Sequence, residues 1–125
     1  MPDLSFLVVD DEERTTYLIE KILAIKFPES HIDVFNNPVD AVEMAKTRRY
    51  DLVLSDICME GIDGFELCKQ IKEFDKFVPV VLMSGSSYDP EFQKLAAENN
   101  AEIMQKPFNI HKLVEIINKY VLNSS

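Results

Sequence analysis

The sequence predicts an α/β fold, a doubly wound sheet of five parallel strands with helices on both faces. Three observations lead there. Short apolar, β-rich runs alternate with segments of helical periodicity along the whole chain, reading βαβαβαβαβα. Phe6-Leu7-Val8-Val9 and Leu52-Val53-Leu54 are apolar at every position, the pattern of strands covered on both faces rather than one. The chain has 125 residues, 46% of them hydrophobic, which suits one compact core.

The strands are expected at Phe6–Val9, 32–35, Leu52–Leu54, 78–83 and the weaker 102–105. A first helix is signalled by Leu18, Ile19, Ile22 and Leu23 at helical spacing. The second opens at Asn37-Pro38, a capping side chain followed by proline at the first helical position. Asp63-Gly64 introduces a third, with Leu67, Cys68 and Ile71 on one face; Asp89-Pro90 opens a fourth, with Phe92, Leu95 and Ala96. Asn109 caps a fifth, whose apolar stripe reads Ile110, Leu113, Val114, Ile117 and Val121. No repeat or internal linker interrupts this series, so residues 1–125 read as a single domain with 123–125 as a short tail or the start of a linker.

Composition narrows the function. Lys and Arg total 13 against 22 Asp and Glu, a formal charge of -9, which disfavours direct binding to nucleic acid. Cys58 and Cys68 form no CxxC pair and lack the companions of a zinc site, so they read as reduced thiols. No run of 18 apolar residues and no basic leader occurs, so the expectation is a cytoplasmic protein without membrane insertion.

In a doubly wound sheet, sites form at the carboxyl ends of the strands, near the point where strand order reverses. The first strand ends in Asp10-Asp11, the third in Ser55-Asp56, the fourth in Ser84-Gly85 and the fifth in Lys106-Pro107-Phe108. Three carboxylates sharing a pocket would raise one another's pKa, whereas a divalent cation lets all of them stay ionised. Hard oxygen donors with few protein ligands suit Mg²⁺, which keeps several waters and accepts a phosphate oxygen. Glu12 and Glu13 fit first-turn helix charges, with Glu12 within possible reach of a metal-bound water.

Asp10-Asp11, Asp56, Ser84 and Lys106-Pro107, in that order and at those strand ends, resemble the receiver domains of two-component response regulators. The resemblance covers essentially the whole chain and implies the flavodoxin-like strand order 2-1-3-4-5. It also implies that Asp56 accepts a phosphoryl group from a sensor histidine kinase or phosphotransfer protein. Asp10, Asp11, Asp56 and the backbone carbonyl of Cys58 would hold Mg²⁺, with Lys106 and Ser84 contacting the phosphoryl oxygens. A cis Lys106-Pro107 bond is expected, and the fourth helix, fifth strand and fifth helix would meet a downstream effector or a second copy. Ile116 and Tyr120, off the main stripe of the last helix, fit either a contact on that face or a widening of the buried stripe.

Three positions depart from the family pattern. Met59-Glu60 stands where Met-Pro is usual, which is expected to loosen the loop, add negative charge and modestly weaken Mg²⁺ binding. Ile103 replaces the usual aromatic residue of the fifth strand, leaving Tyr88 as a candidate moving aromatic or a plain surface tyrosine. Asn100-Ala101 replaces Gly-Ala, a substitution that asparagine's tolerance of the left-handed conformation makes cheap.

Other classes fit less well. Phosphatases of the haloacid dehalogenase type resemble a pattern with a second aspartate two places after the nucleophile, where this chain has Cys58. A flavin-binding module would need a phosphate loop free of the carboxylates at residues 10–13. A receiver-like docking module that is never phosphorylated would not require the full set of strand-end residues.

Overall fold

The computed structural model describes residues 3–86 and 89–121. Its elements are β1 (Ser5–Val9), α1 (Glu13–Lys26), β2 (His31–Phe35), α2 (Pro38–Ala45), β3 (Leu52–Asp56), α3 (Gly64–Phe74), β4 (Val80–Ser84), α4 (Pro90–Glu98), β5 (Glu102–Gln105) and α5 (Ile110–Val121). All strand pairs are parallel and lie in the order β2-β1-β3-β4-β5, the doubly wound arrangement the sequence predicts.

The period of two along each strand divides the core into two layers. Phe6 and Val8 of β1, Leu52 and Leu54 of β3, and Val81 and Met83 of β4 face α1 and α5, meeting Ile19, Leu23, Leu113 and Ile117. Leu7, Val9, Val53, Val80 and Leu82 face the other way and meet Ala41 and Val42 of α2, Leu67 and Ile71 of α3, and Ala96 of α4. A one-residue slip in any central strand would exchange these layers, so the register is strongly specified.

Local signals fix the helix ends. Asn37 Oδ1 accepts from the Val39 amide at 2.8 Å, Asp63 Oδ1 from the Glu66 amide at 2.8 Å, Asp89 Oδ1 from the Glu91 amide at 2.8 Å and Asn109 Oδ1 from the Lys112 amide at 2.7 Å. α4 closes with Asn100 at φ 54°, the Asn100 amide donating to Ala97 at 3.2 Å and the Ala101 amide to Ala96 at 2.8 Å. These are the paired bonds of a Schellman end, with asparagine serving where glycine is usual.

Several expectations are corrected. β4 begins at Val80, not Val78, because Pro79 has no N–H to donate; its carbonyl accepts from Val53 at 3.0 Å just before the ladder starts. β3 runs on through Asp56. On α1 the buried stripe passes through Thr16, Ile19, Ile22 and Leu23, and Leu18 falls beyond its edge, 52% exposed. The buried stripe of α5 is shifted round the helix: Ile110 is exposed while Ile116, only 4% exposed, packs with Leu113 and Ile117. Of the two readings for Ile116, the structure therefore supports the widened buried stripe and gives it no surface to offer a partner. Tyr120 is half-buried on the same side, its hydroxyl donating to Glu102 of β5 beside Lys119, whose Nζ lies 2.8 Å from that carboxylate. Ile103 packs half-buried against the layer that contains α4, and Tyr88 lies outside the described residues.

Candidate functional site

Winding outward from β1 to β2 and then back to β3 leaves a crevice at the carboxyl ends of β1 and β3. Asp10 is the first residue past β1, and Asp56 is the last of β3. Ser84 ends β4, and Lys106 follows β5 directly. Asp10, Asp11 and Asp56 each offer a carboxylate oxygen within 4.8 Å of the others'. Lys106 Nζ reaches into this group, 3.1 Å from Asp10 Oδ2 and 3.0 Å from Asp56 Oδ1, and the Lys106-Pro107 bond is cis as expected.

Burial is graded across the group: Asp10 is buried, Asp56 half-buried and Asp11 exposed. Desolvation therefore raises the pKa of Asp10 first. The Glu12 amide, donating to Oδ1 at 3.0 Å, opposes the rise, the Asp56 charge adds to it and the Lys106 charge opposes it. Lys106 pays a desolvation cost that lowers its pKa, but the hydrogen bond to Asp56 and the charges of both aspartates outweigh it and raise the value overall. The ammonium thus stays charged, and the carboxylates share one fixed positive group. A buried aspartate whose ionised form remains disfavoured is a site that gains from a further cation.

The surrounding loops hold this geometry. Ser84, 4% exposed, accepts from the Ser86 amide at 2.9 Å through Oγ, which leaves its hydroxyl hydrogen free to be aimed elsewhere. Gly64, at the start of α3, passes so close to β3 that a Cβ there would meet the Asp56 carbonyl oxygen at 2.5 Å and the Ile57 Cα at 2.9 Å. Only glycine lets α3 seat against the end of that strand.

The loop after Asp56 makes one long contact with the acidic pair. The Glu60 amide donates to Asp11 Oδ2 at 3.4 Å, a long bond that proline would not make, and Gly61 at φ 92° turns the chain behind it. Cys58 is exposed beside this loop. Cys68 is buried, its thiol pushed up to about 11 by desolvation, and both cysteines are free.

As expected from the strand ends, Asp10, Asp11, Asp56 and Lys106 meet at one edge, with Ser84 at the end of β4 on the same edge. The sequence does not point to Asn36, whose side chain donates to the Asp10 carbonyl at 2.8 Å and to Thr16 Oγ1 at 3.0 Å. The only available signal was a second asparagine beside the capping Asn37, which does not reveal a partner 26 residues away.

Known proteins share this fold. The model of the response regulator receiver domain matches residues 6–118. A heme response regulator, HssR, of Staphylococcus aureus is 29% identical over 95% of this chain. The chain spans about half, 54%, of that relative's length. Among solved structures, the chemotaxis response regulator CheY4 of Vibrio cholerae superposes with a TM-score of 0.85 at 22% identity, covering 96% of this chain and 100% of the other. The receiver domain of a sensor histidine kinase from Pseudomonas aeruginosa, with a magnesium ion coordinated in its active-site cleft, does so with a TM-score of 0.83 at 19% identity, covering 98% and 100%. With a family match spanning nearly every element and the strand order shared by these structures, the chain belongs to the response regulator receiver domain family.

Proposed function

We propose that Asp56 is the phosphoacceptor of a Mg²⁺-dependent switch and that this reading extends over residues 1–125 as one receiver unit. The observation that carries it is the convergence of Asp10, Asp11 and Asp56 around Lys106 Nζ at the crevice of the sheet. A carboxylate oxygen of Asp56 attacks phosphorus of a phosphohistidine or an acyl phosphate. The bond to the imidazole nitrogen, or to the acyl oxygen, breaks, and its electron pair leaves with that group.

Asp10, Asp11 and Asp56, together with the Cys58 carbonyl, are the donors that would hold Mg²⁺; hard oxygen atoms suit it. Bound there, the ion would supply positive charge to the phosphoryl oxygens. Lys106 adds a fixed ammonium already aimed at Asp56, and Ser84 donates its hydroxyl hydrogen to a phosphoryl oxygen. Glu60 donates its amide to Asp11 and adds negative charge at the mouth, and we read this pair as favouring the cation, against the weakening that a looser loop alone would give.

The phosphoryl donor is a sensor histidine kinase or phosphotransfer protein in the cytoplasm. The output runs through α4, β5 and α5 to an effector or a second copy of the chain. Ile103, half-buried in the layer with α4, and Tyr120, half-buried in the layer with α5, are the residues proposed to repack, and Tyr88 remains a proposed participant. Direct nucleic-acid binding is disfavoured by the net charge of -9, and no helix among the described residues is long and apolar enough to cross a membrane.

The test is intact-protein mass after incubation with acetyl phosphate, with and without Mg²⁺, beside Asp56→Asn. The expected result is a Mg²⁺-dependent gain of one phosphoryl group that the variant lacks. Absence of that gain in protein shown to bind Mg²⁺ and to resist a cognate kinase would favour a docking module that signals without phosphate.

A further inference from the structure

We infer that Asn36 is a positioning residue for the acidic pair, fixing the backbone of Asp10 and Asp11 so that their carboxylates converge on Asp56. The inference rests on the proposed metal site for its consequence, and on the hydrogen bonds for its geometry.

The β1 ladder makes its last contact where the Asp10 amide donates to the Phe35 carbonyl at 3.2 Å. Beyond it the chain leaves the sheet, and the Asp10 carbonyl has no strand to pair with. Asn36, the first residue past β2, supplies the partner. One amide hydrogen goes to the Asp10 carbonyl at 2.8 Å and the other to Thr16 Oγ1 at 3.0 Å. A carbonyl only accepts, so the nitrogen end of the side chain must face Asp10. Thr16 is 2% exposed and passes its own hydrogen to the Glu13 carbonyl at 3.1 Å.

The turn through residues 10–12 is therefore held at both sides, to the end of β2 and to the first turn of α1. The residue type is set by these two acceptors. Aspartate would place another carboxylate against a carbonyl and offer no hydrogen; serine offers one where two are needed. Asn36 is free for this work because Asn37 caps α2.

The groups that orient metal ligands typically matter about 10–100-fold to affinity, and a residue acting through the backbone belongs at the low end. Four proteins separate positioning from mere structural support: wild type, Asn36→Ala, Asn36→Ser and Thr16→Val, each titrated with Mg²⁺ by calorimetry and followed by amide hydrogen exchange without metal. Asn36→Ala is expected to weaken Mg²⁺ binding about tenfold and to speed exchange at Asp11 and Glu12, with Asn36→Ser between it and wild type. Thr16→Val, which spares the contact to Asp10, is expected to lower Tm yet hold Mg²⁺ affinity within about twofold. Equal affinity in Asn36→Ala and wild type, or equal losses in Asn36→Ala and Thr16→Val, would overturn the inference. Failure of wild type itself to bind Mg²⁺ would remove the proposed metal site, and exchange at Asp11 and Glu12 would then decide the positioning role alone.

Discussion

Lys106 Nζ lies 3.0 Å from Asp56 Oδ1, so an ammonium delivered by the end of β5 rests on the carboxylate that ends β3, two strands away. The same ammonium lies 3.1 Å from Asp10 Oδ2. It is the fixed counter-charge of the carboxylate group.

Replacing it exposes that dependence. Lys106→Met keeps the apolar stem but leaves Asp10, 1% exposed, facing Asp56 without a cation. A loss of about 2 kcal/mol is expected in metal-free protein at pH 7, below the usual cost of breaking a buried pair because Lys106 is itself part-exposed. Saturating Mg²⁺ should then raise Tm more in the variant than in wild type. Thermal unfolding with and without the ion checks this, and equal shifts would argue against a shared charge balance.

Gly64→Ala tests the contact between α3 and the end of β3. The added methyl meets two backbone atoms first, with Leu82 Cδ2 behind them at 3.1 Å, so the helix or strand must move. Destabilisation of about 2–3 kcal/mol in urea, with displaced amide signals at Asp56 and Ile57, is expected. A neutral substitution would mean that α3 seats further from the strand.

Glu102, Lys119 and Tyr120 give a pH signature remote from the carboxylate cluster. Burial raises the Glu102 pKa, but hydrogen bonds from Lys119 and Tyr120 outweigh it and lower the value overall. A lowered carboxylate contributes stability that is present above its unfolded value and lost as pH falls through the folded one. Glu102→Gln should therefore cost about 1 kcal/mol at pH 7, with the deficit shrinking below about pH 4.5. Tyr120 behaves oppositely: burial and the Glu102 bond raise its pKa, so its contribution persists below about pH 10 and is lost at higher pH. A pH-independent difference between Glu102→Gln and wild type would show that the bond carries no charge.

The Glu60 amide separates two effects at the loop. Glu60→Gln keeps the N–H donated to Asp11 and removes only the charge, whereas Glu60→Pro removes both. Mg²⁺ affinity should fall about twofold in the first and further in the second. Tighter binding by Glu60→Pro would show that a rigid loop outweighs the lost bond.

What the sequence could show follows from the range of its signals. The β1 and β3 runs, the caps at Asn37, Asp63 and Asp89, and the left-handed Asn100 are local features, and the structure contains each. The strand-end residues were legible because topology alone brings strand ends to one edge. Ile116, Leu18 and Ile110 were not, since periodicity gives the width of an apolar stripe but not the roll of the helix about its axis. That roll is set by contacts such as Tyr120 with Glu102, between residues far apart in the chain. Asn36 and the Glu60 amide are equally hidden in the sequence: the Asn36 side chain meets the Asp10 carbonyl 26 residues away, and the Glu60 donor is a backbone N–H, which almost every residue type carries.

The most direct measurement is the position of the modified side chain. Protein treated with acetyl phosphate and Mg²⁺ would be reduced with borohydride, which converts an aspartyl phosphate to homoserine, and then sequenced by tandem mass spectrometry. If Asp56 is the phosphoacceptor, homoserine appears at position 56 alone and is lost when Mg²⁺ is withheld. Homoserine at position 10 or 11, or an unmodified Asp56 in Mg²⁺-bound protein offered both acetyl phosphate and a cognate kinase, would contradict that role.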